Sequence, residues 1–271
     1  MLLWKNTKTL DGFIDDIPQT NLKHKADIVL LGSKSISLDE FPELKGIFRV
    51  GVSESNVPLD EANKKNIAVA FPALHTKKYI YEETANFTCG LIFNAHYKKI
   101  GTISPWIKNN RKALSEKKLL ILGEGKIGGL VHEKMKVFLN VMVFDPYRYK
   151  DILLEDLLSE ADFVSIHIPD IEENINFIDS EKLALMKNDS VLINTSRGRI
   201  VSENDLYDEL LNKRLYASFD VYWKEPYDGI LKEFYPDRFM MTPHVASTCN
   251  EFLSGSNKDL RNFIVKLSCK L

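Results

Sequence analysis

Short apolar runs alternate with polar or proline-containing stretches through about the first 71 residues of the chain. Such runs occur at residues 26–31, 47–52 and 67–70. Because short apolar runs bounded by turn-forming residues are typical of buried strands, the pattern predicts β-strands separated by brief helices or turns. We therefore expect a small α/β layer structure in this part of the chain.

A helical periodicity follows over residues 79–97, which no proline interrupts. The side chains that recur there at three- and four-residue spacing are Ile80, Thr84, Phe87, Leu91 and Ala95. This spacing places them on one face of a helix. We predict a helix long enough to link two domains.

A second series of apolar runs begins near residue 119. We predict strands at residues 119–122, 141–144, 163–168, 190–194 and 216–221, and helices from residue 127 and over residues 203–212. Strands that alternate with helices over this length indicate a doubly wound, mainly parallel sheet.

Composition and charge narrow the class of protein. The 271 residues are 44% hydrophobic and 27% charged, which suits one or two ordinary globular domains. The 36 basic and 38 acidic residues are interspersed and leave a formal charge of -2, so we expect neither nucleic acid nor an anionic membrane as the main partner. No apolar run has the length of a signal peptide or a membrane span, so we expect a soluble protein.

The cysteine pattern bears on metal binding and on the redox compartment. Cys89, Cys249 and Cys269 lie far apart and form no CxxC or Cys/His cluster. A zinc site or a disulfide framework would need such a cluster. We therefore expect no metal and a reducing, cytoplasmic setting.

A glycine-rich turn follows the apolar run at residues 118–122. Gly123, Gly125 and Gly128 have the spacing GxGxxG, directly after a predicted strand and at the start of a predicted helix. The first glycine permits a tight turn, the second lets the backbone approach a pyrophosphate, and the third allows close packing of helix on strand. The helix N-terminus then attracts the diphosphate. Taken alone, such a turn can equally be a plain structural loop.

An acidic residue supports a dinucleotide at this turn. Asp145 ends the predicted strand at residues 141–144, where a carboxylate can accept both ribose hydroxyls of adenosine and repel a 2′-phosphate. The sequence therefore predicts NAD rather than NADP. The alternative for Asp145 is a turn residue before Pro146. Arg148 weakens the preference for NAD, because it could pair with a phosphate, although a solvated surface role is more usual for arginine.

Polar side chains also follow two later predicted strands, at the edge where open α/β sheets bind their ligands. Arg197 could clamp a carboxylate and polarise an adjacent carbonyl. Asp220 and Glu225 follow the strand at residues 216–221, and His244 comes later, after a proline. Each is unremarkable by itself, because such an arginine is more often an ion-pair residue and a lone histidine is usually structural.

The order and context of these motifs resemble the D-isomer-specific 2-hydroxyacid dehydrogenases, a family that includes phosphoglycerate, glycerate, D-lactate and formate dehydrogenases. The residues similar to the family's GxGxxG, YDP, LHxP, NTSRG, DVxxxEP and TPH motifs follow in this order at 123–128, 144–146, 166–169, 194–198, 220–226 and 242–244, with Phe144 in place of Tyr and Ile166 in place of Leu. Together these motifs are highly specific, and they span most of the chain.

The resemblance implies a role for each motif. In the family the arginine of NTSRG binds the substrate's carboxylate and carbonyl, the histidine of TPH is the acid/base, and the glutamate of DVxxxEP orients that histidine. The implied catalytic residues are Arg197, His244 and Glu225, and a capping acid before Pro226 is the alternative for Glu225. The implied cofactor-binding positions are Gly123, Gly125, Lys126, Ile127, Gly128, Asp145, Pro146, His167, Pro169, Thr195 and Asp220. For the His167 side chain, inside an apolar strand, we favour a structural role.

The chemistry of the reaction agrees with these roles. Reduction of a 2-oxo acid requires a hydride from NADH on the carbonyl carbon and a proton on its oxygen. A histidine can supply that proton, and a carboxylate partner stabilises its imidazolium form. Arg197 would hold the carbonyl and stabilise negative charge that develops on oxygen. In the reverse direction His244 would act as the base.

A looser resemblance places substrate contacts near the N-terminus. Residues 48–52 are similar to the family's R-x-G-V-G loop, whose backbone N–H groups meet the substrate carboxylate. The implied positions are Val50 and Gly51, and a strand end followed by a turn is an equal alternative. Residues 53–60 depart from the GxDxID pattern that usually follows, so substrate preference could differ.

The resemblance implies two Rossmann-like or flavodoxin-like α/β domains with the active site in the cleft between them. We expect a substrate domain at residues 1–95 with a returning segment at 246–271, and an NAD-binding domain at 96–245 whose larger, doubly wound parallel sheet binds the dinucleotide. A homodimer is also implied, although the connection at residues 101–116 lacks the GxEL-type segment common in the family.

The sequence thus predicts an NAD-dependent oxidoreductase that transfers a hydride between nicotinamide and a small D-2-hydroxy acid or 2-oxo acid. An NAD(H)-sensing regulatory binding protein on the same scaffold is the alternative, against which intact Arg197, Glu225 and His244 argue. Formate oxidation is a weaker option, because that branch has glutamine where this chain has Glu225. The side chain of the acid is left open.

Overall fold

The computed structural model describes residues 1–269. Its strands are β1 (Leu3–Lys5), β2 (Ile28–Leu31), β3 (Gly46–Arg49), β4 (Ala68–Ala70), β5 (Gly101–Thr102), β6 (Ile107–Lys108), β7 (Lys118–Leu122), β8 (Asn140–Phe144), β9 (Phe163–Ile166), β10 (Val191–Asn194), β11 (Tyr216–Phe219) and β12 (Phe239–Met241). Its α-helices are α1 (Leu59–Lys64), α2 (Leu74–Tyr97), α3 (Lys126–Met135), α4 (Leu154–Glu160), α5 (Ser180–Leu185), α6 (Glu203–Leu211) and α7 (Asn250–Ser268). Short 3-10 helices lie at Lys23–Lys25, Leu38–Glu40, Leu114–Glu116, Glu172–Asn174, Gly198–Ile200 and Ile230–Phe234.

The chain forms two compact units. Unit 1 contains Met1–Ile80 and the chain from Thr248 onward, and unit 2 contains Tyr81–Ser247. The division falls within α2, whereas the sequence predicts a boundary after residue 95, later in the same helix.

Unit 1 is built on a four-stranded parallel sheet with the order β1-β2-β3-β4. Its central strands β2 and β3 are buried on both faces, where alternate side chains point to opposite sides of the strand. Leu30 belongs to one apolar cluster together with Phe252 of α7, and Leu31 belongs to the other together with Ala62 of α1. Helix α7 packs closely on β3: a Cβ built on Gly46 would lie 2.7 Å from the Phe263 ring.

Unit 2 is built on a six-stranded parallel sheet with the order β12-β11-β10-β9-β7-β8. From β7 the chain moves outward to β8 and then returns to β9 on the other side of β7, so the strand order reverses between β7 and β9. In open α/β sheets, ligands bind beyond the carboxyl ends of the strands at such a reversal. The predicted α/β class and doubly wound parallel sheet are confirmed.

Helices cover both faces of the sheet in unit 2. Leu120 of β7 packs in a cluster with Leu158 of α4, and Leu119 packs in another with Val131 of α3 and Ile92 of α2. The central strands are therefore buried on both sides, which explains their continuous apolar runs. Over residues 1–269, no helix combines the length and the apolar character that a membrane crossing requires.

Several elements differ from the sequence-based expectation. The predicted strand at residues 163–168 ends at Ile166. The N–H of His167 still donates to Leu122 O at 2.7 Å, but Pro169, two residues later, has no N–H to donate to a sheet. Strands β1 and β12 were not expected, since three residues carry too little pattern to be distinguished from a loop. Helix α2 begins at Leu74, before the predicted start at residue 79.

Candidate active site

The glycine turn is folded tightly against the carboxyl ends of β7 and β9. Gly123 has a φ of +91°, which L side chains rarely adopt, and its N–H donates to Phe144 O at 2.8 Å. A Cβ on Gly123 would lie 2.9 Å from the carbonyl oxygen of His167. A Cβ on Gly128 would overlap the carbonyl of Gly123 and lie 3.2 Å from the Cβ of His167. Both positions therefore require glycine.

The second glycine of the turn borders open space. Gly125 is the N-cap residue of α3, and no side chain caps this helix end. Apart from its neighbours in the chain, no described residue has an atom within 4 Å of the place where a Cβ of Gly125 would stand. The N–H groups at the start of α3 thus remain available to an anion, as the diphosphate of a dinucleotide requires. Of the next two residues, Lys126 lies over the Tyr81 ring at 5.0 Å, and Ile127 packs on the adjoining apolar cluster.

Asp145 lies directly beside the glycine turn. Its Oδ2 accepts the backbone N–H of Glu124 at 2.9 Å, and its Oδ1 accepts that of Tyr147 at 3.1 Å. The carboxylate is therefore held at the end of β8 next to the turn. Pro146, which follows, is exposed.

Glu124, between the first two glycines, forms a network that was not expected from the sequence. The residue is only 8% exposed. Its Oε1 lies 2.6 Å from His132 Nδ1, and its Oε2 accepts from Arg148 Nη1 at 3.0 Å and from the Tyr149 hydroxyl at 2.8 Å. The hydrogen bond from His132 outweighs the opposing effect of burial and lowers the pKa of Glu124, and the bonds from Tyr149 and Arg148 lower it further. The sequence does carry a signal for this network. An acidic residue occupies a variable position of the glycine motif, and an arginine follows shortly after Asp145.

Three further predicted cofactor positions lie after β9 and β10, at the same edge of the sheet. Burial lowers the pKa of His167 to about 4, so its ring is neutral near pH 7, and its Nε2 lies 2.9 Å from Ser165 Oγ. Pro169 is exposed. Thr195 is buried, and its hydroxyl lies 2.8 Å from that of Thr88 on α2.

The turn that carries Arg197 is braced by a buried amide. Asn194, at the end of β10, donates from Nδ2 to Arg197 O at 2.8 Å and accepts the N–H of Ser196 at 2.9 Å. Ser196 Oγ in turn donates to Ile168 O at 2.8 Å. Arg197 Nη1 donates to Ser196 O at 2.6 Å. Asn194 was not predicted as a site residue, although it is part of the NTSRG-like segment.

Gly198 allows this turn to approach the loop that carries Glu225. A Cβ on Gly198 would overlap the backbone of Tyr222. Burial lowers the pKa of Arg197, and the negative charges of Asp170 and Glu225 oppose that effect. Arg197 therefore lies within the electrostatic reach of Glu225.

Glu225 and His244 form a direct pair. Nδ1 of His244 lies 2.8 Å from Oε2 and 3.0 Å from Oε1 of Glu225, and Oε1 also accepts the N–H of Tyr222 at 3.2 Å. Burial alone would raise the pKa of Glu225, but the hydrogen bond and charge of His244, together with the charge of Arg197, hold it below the usual value. Because Nδ1 faces the carboxylate, Nε2 is the ring nitrogen left for another partner.

Asp220 fixes the loop on both sides of His244. Its side chain is fully buried. Oδ1 accepts from the Thr242 hydroxyl at 2.6 Å and from Val245 N at 2.9 Å, and Oδ2 accepts from Ala246 N at 2.9 Å. The sequence predicts a cofactor contact at Asp220. In the structure, both of its carboxylate oxygens accept hydrogen bonds from this loop.

The two predicted substrate positions follow β3 in unit 1. The N–H of Val50 extends the sheet by donating to Leu31 O at 3.0 Å. Gly51 has a φ of +142°, and a Cβ there would lie 2.6 Å from Nη1 of Arg49, whose guanidinium folds over the turn and donates to Val50 O. Of the two N–H groups, that of Gly51 has no acceptor among the described residues.

Comparison with known proteins identifies the family. Residues 95–246 match the NAD binding domain of the D-isomer specific 2-hydroxyacid dehydrogenases. The glyoxylate reductase of Korarchaeum cryptofilum is 29% identical over 236 residues, which cover 78% of this chain and 69% of that protein. The hydroxypyruvate reductase of Thermotoga maritima is 30% identical over 226 residues, which cover 77% of this chain and 72% of that protein.

A solved structure supports the fold. The D-lactate dehydrogenase of Aquifex aeolicus, complexed with NAD and lactic acid, has a TM-score of 0.79 and 22% identity to this chain, with coverage of 100% of this chain and 96% of that one. The family match extends from α2 to the loop that carries His244, and it agrees with the glycine turn at the sheet reversal. The expected cofactor, NAD, and the expected enzyme class are confirmed. The chain belongs to the D-isomer specific 2-hydroxyacid dehydrogenase family and is an NAD-dependent oxidoreductase.

Proposed function

We propose that the protein reduces a small 2-oxo acid to the D-2-hydroxy acid and catalyses the reverse oxidation, with His244 as acid/base, Glu225 as its orienting group and Arg197 as the carboxylate clamp. The 2.8 Å contact between Glu225 Oε2 and His244 Nδ1 carries this proposal. It is supported by the close approach of the Arg197 turn to the Glu225 loop at Gly198.

The described residues fit a bound NAD. Gly123, Gly125 and Gly128 leave the N-terminus of α3 open for the diphosphate, with Lys126 and Ile127 in its first turn, and Asp145 stands where a ribose would need acceptors. We assign Pro146, His167, Pro169 and Thr195 to the walls of the same pocket. When bound, NAD supplies or accepts the hydride.

His244 handles the proton. Glu225 is ionised near neutral pH because its pKa is held low, and as an acceptor it fixes a proton on His244 Nδ1. Protonation of Nε2 then gives an imidazolium that the carboxylate stabilises. In the reductive direction Nε2 gives its proton to the carbonyl oxygen, and in the oxidative direction it takes the proton of the hydroxyl.

Arg197 binds and polarises the acid. Its guanidinium can donate two parallel hydrogen bonds to a carboxylate or reach a neighbouring carbonyl oxygen, where negative charge grows during reduction. Partial burial strengthens these contacts relative to water. Asn194 is a positioning residue, because it holds the backbone of Arg197 without facing the substrate itself.

Asp220 is, in this proposal, a positioning residue for His244 and not a cofactor contact. Its carboxylate holds the loop at Thr242, Val245 and Ala246, on either side of the acid/base. In unit 1 we assign the substrate contact to Gly51, with Val50 shaping the turn. The names of the glyoxylate and hydroxypyruvate reductases among the relatives make short 2-oxo acids the first candidates.

The network of Glu124 favours NAD over NADP. Arg148 is the cation best placed by sequence to meet a 2′-phosphate, and its guanidinium donates to Glu124. With Arg148 engaged in this way, two carboxylates, Glu124 and Asp145, stand beside the ribose position.

The proposed activity is tested by measuring NADH consumption with glyoxylate, hydroxypyruvate, pyruvate and 3-phosphohydroxypyruvate as substrates. We expect turnover of at least one, with kcat about 10²–10⁴-fold lower in His244→Ala. Turnover of none, or no effect of both His244→Ala and Arg197→Ala, would overturn the proposal. The regulatory alternative predicts instead that NADH-dependent binding of a partner survives His244→Ala, and the comparisons do not favour it.

We also propose a homodimer in the cytoplasm. The hairpin β5–β6 and its turn expose large apolar side chains, with Ile103 82% and Trp106 77% exposed, which a second copy would cover. Sedimentation at several concentrations should show a dimer that Trp106→Glu dissociates, and a monomer in both proteins would refute it. The free cysteines, Cys89, Cys249 and Cys269, support a reducing compartment.

A further inference from the structure

Unit 2 contains a cavity of about 400 Å³ at the edge of the sheet where its strands begin. The lining includes Lys117 just before β7, Phe163 at the start of β9 and Tyr216 at the start of β11. The glycine turn and Arg197 follow the opposite, carboxyl ends of the strands. Because strands of four or five residues rise about 3.3 Å per residue, the two edges are roughly 13–17 Å apart. The cavity is therefore separate from the active site.

The lining of the cavity is strongly cationic. Its basic side chains are Lys98, Lys99, Arg111, Lys112, Lys117 and Arg238. Two carboxylates also line it, Asp162 and Asp189. Asp162 is already engaged, since it lies 2.9 Å from Lys117 and 3.7 Å from Lys187. A concave surface lined by charges of one sign concentrates the potential and attracts ions of the other sign.

A favourable interaction with a helix C-terminus explains the position of only some of these basic side chains. Lys98 and Lys99 follow the C-terminus of α2, where positive charge complements the free carbonyls. Arg111 comes from the coil before β7, and Arg238 comes from the coil before β12. Lys99 Nζ and Arg238 Cζ each lie 4.5 Å from the centroid of the same Tyr216 ring. Separate segments of the chain thus bring like charges together around one aromatic side chain.

Several polar groups of the lining lack an acceptor or partner among the described residues. His96 Nε2 is fully buried and forms no hydrogen bond there. Arg111 stacks over the Tyr97 ring at 5.2 Å, and within residues 1–269 neither it nor Lys112 pairs with a carboxylate. Burial lowers the pKa of His96, and the charges of Lys117 and Arg111 lower it further. The exposed side chains of Arg111 and Lys112 therefore remain available to an anion.

We propose that this cavity binds a small multivalent anion of the phosphate class, either inorganic phosphate or the phosphate ester of a small metabolite. Arginine and lysine side chains offer the donors that phosphate oxygens accept. The volume of about 400 Å³ exceeds that of a phosphate ion and admits an organic portion beside Tyr216. Occupancy would offset the repulsion among the cations and stabilise the folded chain.

Calorimetric titration of the full chain with inorganic pyrophosphate tests this site, in saturating NADH so that the diphosphate position at the glycine turn is filled. We expect saturable binding that weakens as NaCl is raised. The double variant Arg111→Gln/Lys112→Gln should weaken it at least tenfold. Both residues are exposed, so the fold should be retained.

The matched control is Lys258→Gln/Lys266→Gln, which removes two exposed charges from α7 and should bind like the parent protein. Comparison of inorganic phosphate with glycerol 3-phosphate separates the two sources of the anion, since tighter binding of the ester indicates an organic portion. Absence of pyrophosphate binding, or equal losses in the two double variants, would overturn the proposal.

Discussion

The guanidinium of Arg148 donates to the carboxylate of Glu124 across 3.0 Å. This pair joins a variable position of the glycine turn to the residues that follow Asp145, which is the proposed partner of the adenosine ribose. Arg148 is more than half exposed, whereas the Glu124 side chain is 10% exposed, so the glutamate is the fixed partner.

Replacing the glutamate should loosen the preference for NAD. Glu124→Gln removes one negative charge and releases Arg148, so we expect the ratio of NADH to NADPH affinity to fall about tenfold. Fluorescence titrations with both cofactors at one ionic strength measure this ratio. Tyr149→Phe removes a neutral partner of Glu124 and should leave the ratio unchanged. The double variant Glu124→Gln/Arg148→Ala should lose the gain in NADPH affinity. An unaltered ratio of NADH to NADPH affinity in Glu124→Gln would disprove this role of the Glu124–Arg148 pair.

The pair of Glu225 and His244 makes stability depend on pH. The pKa of Glu225 is lower in the folded chain than its ordinary value of 4.5, so its contribution to stability is present above that value and is lost as the pH falls through the lower, folded pKa. Glu225→Gln should therefore be less stable than the parent at pH 7, and the two melting temperatures should converge in acid. A constant difference at every pH would contradict this assignment.

The role of Asp220 can be separated from cofactor binding. In Asp220→Asn an amide N–H would face donors that the carboxylate now accepts, and we expect a loss of about 1–3 kcal/mol in the free energy of unfolding. If the residue positions His244, kcat/KM should fall while the Kd for NADH is retained. A proportional loss of NADH affinity would instead support the cofactor contact expected from the sequence. Asp151→Asn, at an exposed position, is the control.

Gly198 should tolerate no side chain. Gly198→Ala would push the Arg197 turn away from the backbone of Tyr222, at a cost of about 1–3 kcal/mol in stability and with a fall in kcat/KM. Gly90→Ala is the matched control, because a Cβ there meets no atom within 4 Å and alanine favours the helix, by about 0.5–1 kcal/mol. Equal activity of the two variants would show that the close approach is dispensable.

The sequence predicts the parts of this structure that depend on local pattern. The long apolar runs became β7 and β9 to β11, and the glycine turn lies where its spacing indicates. Contacts between distant side chains carry no such pattern. The partners of Glu124 come from α3 and from the segment after Asp145, and the engagement of Asp220 depends on how the loop of residues 242–246 folds back. The contact of Val50 could not be predicted from local pattern either, because its N–H donates to Leu31 O on a neighbouring strand.

Every residue assigned to the dinucleotide or to proton transfer lies between Tyr81 and Ser247, whereas Gly51, the proposed contact to the acid, belongs to unit 1. In the proposed assignment, the residues for the cofactor and for proton transfer thus come from one unit, and the additional backbone contact to the acid's carboxylate comes from the other. On this assignment, substitutions in residues 1–80 would leave every proposed hydride- and proton-transfer residue in place.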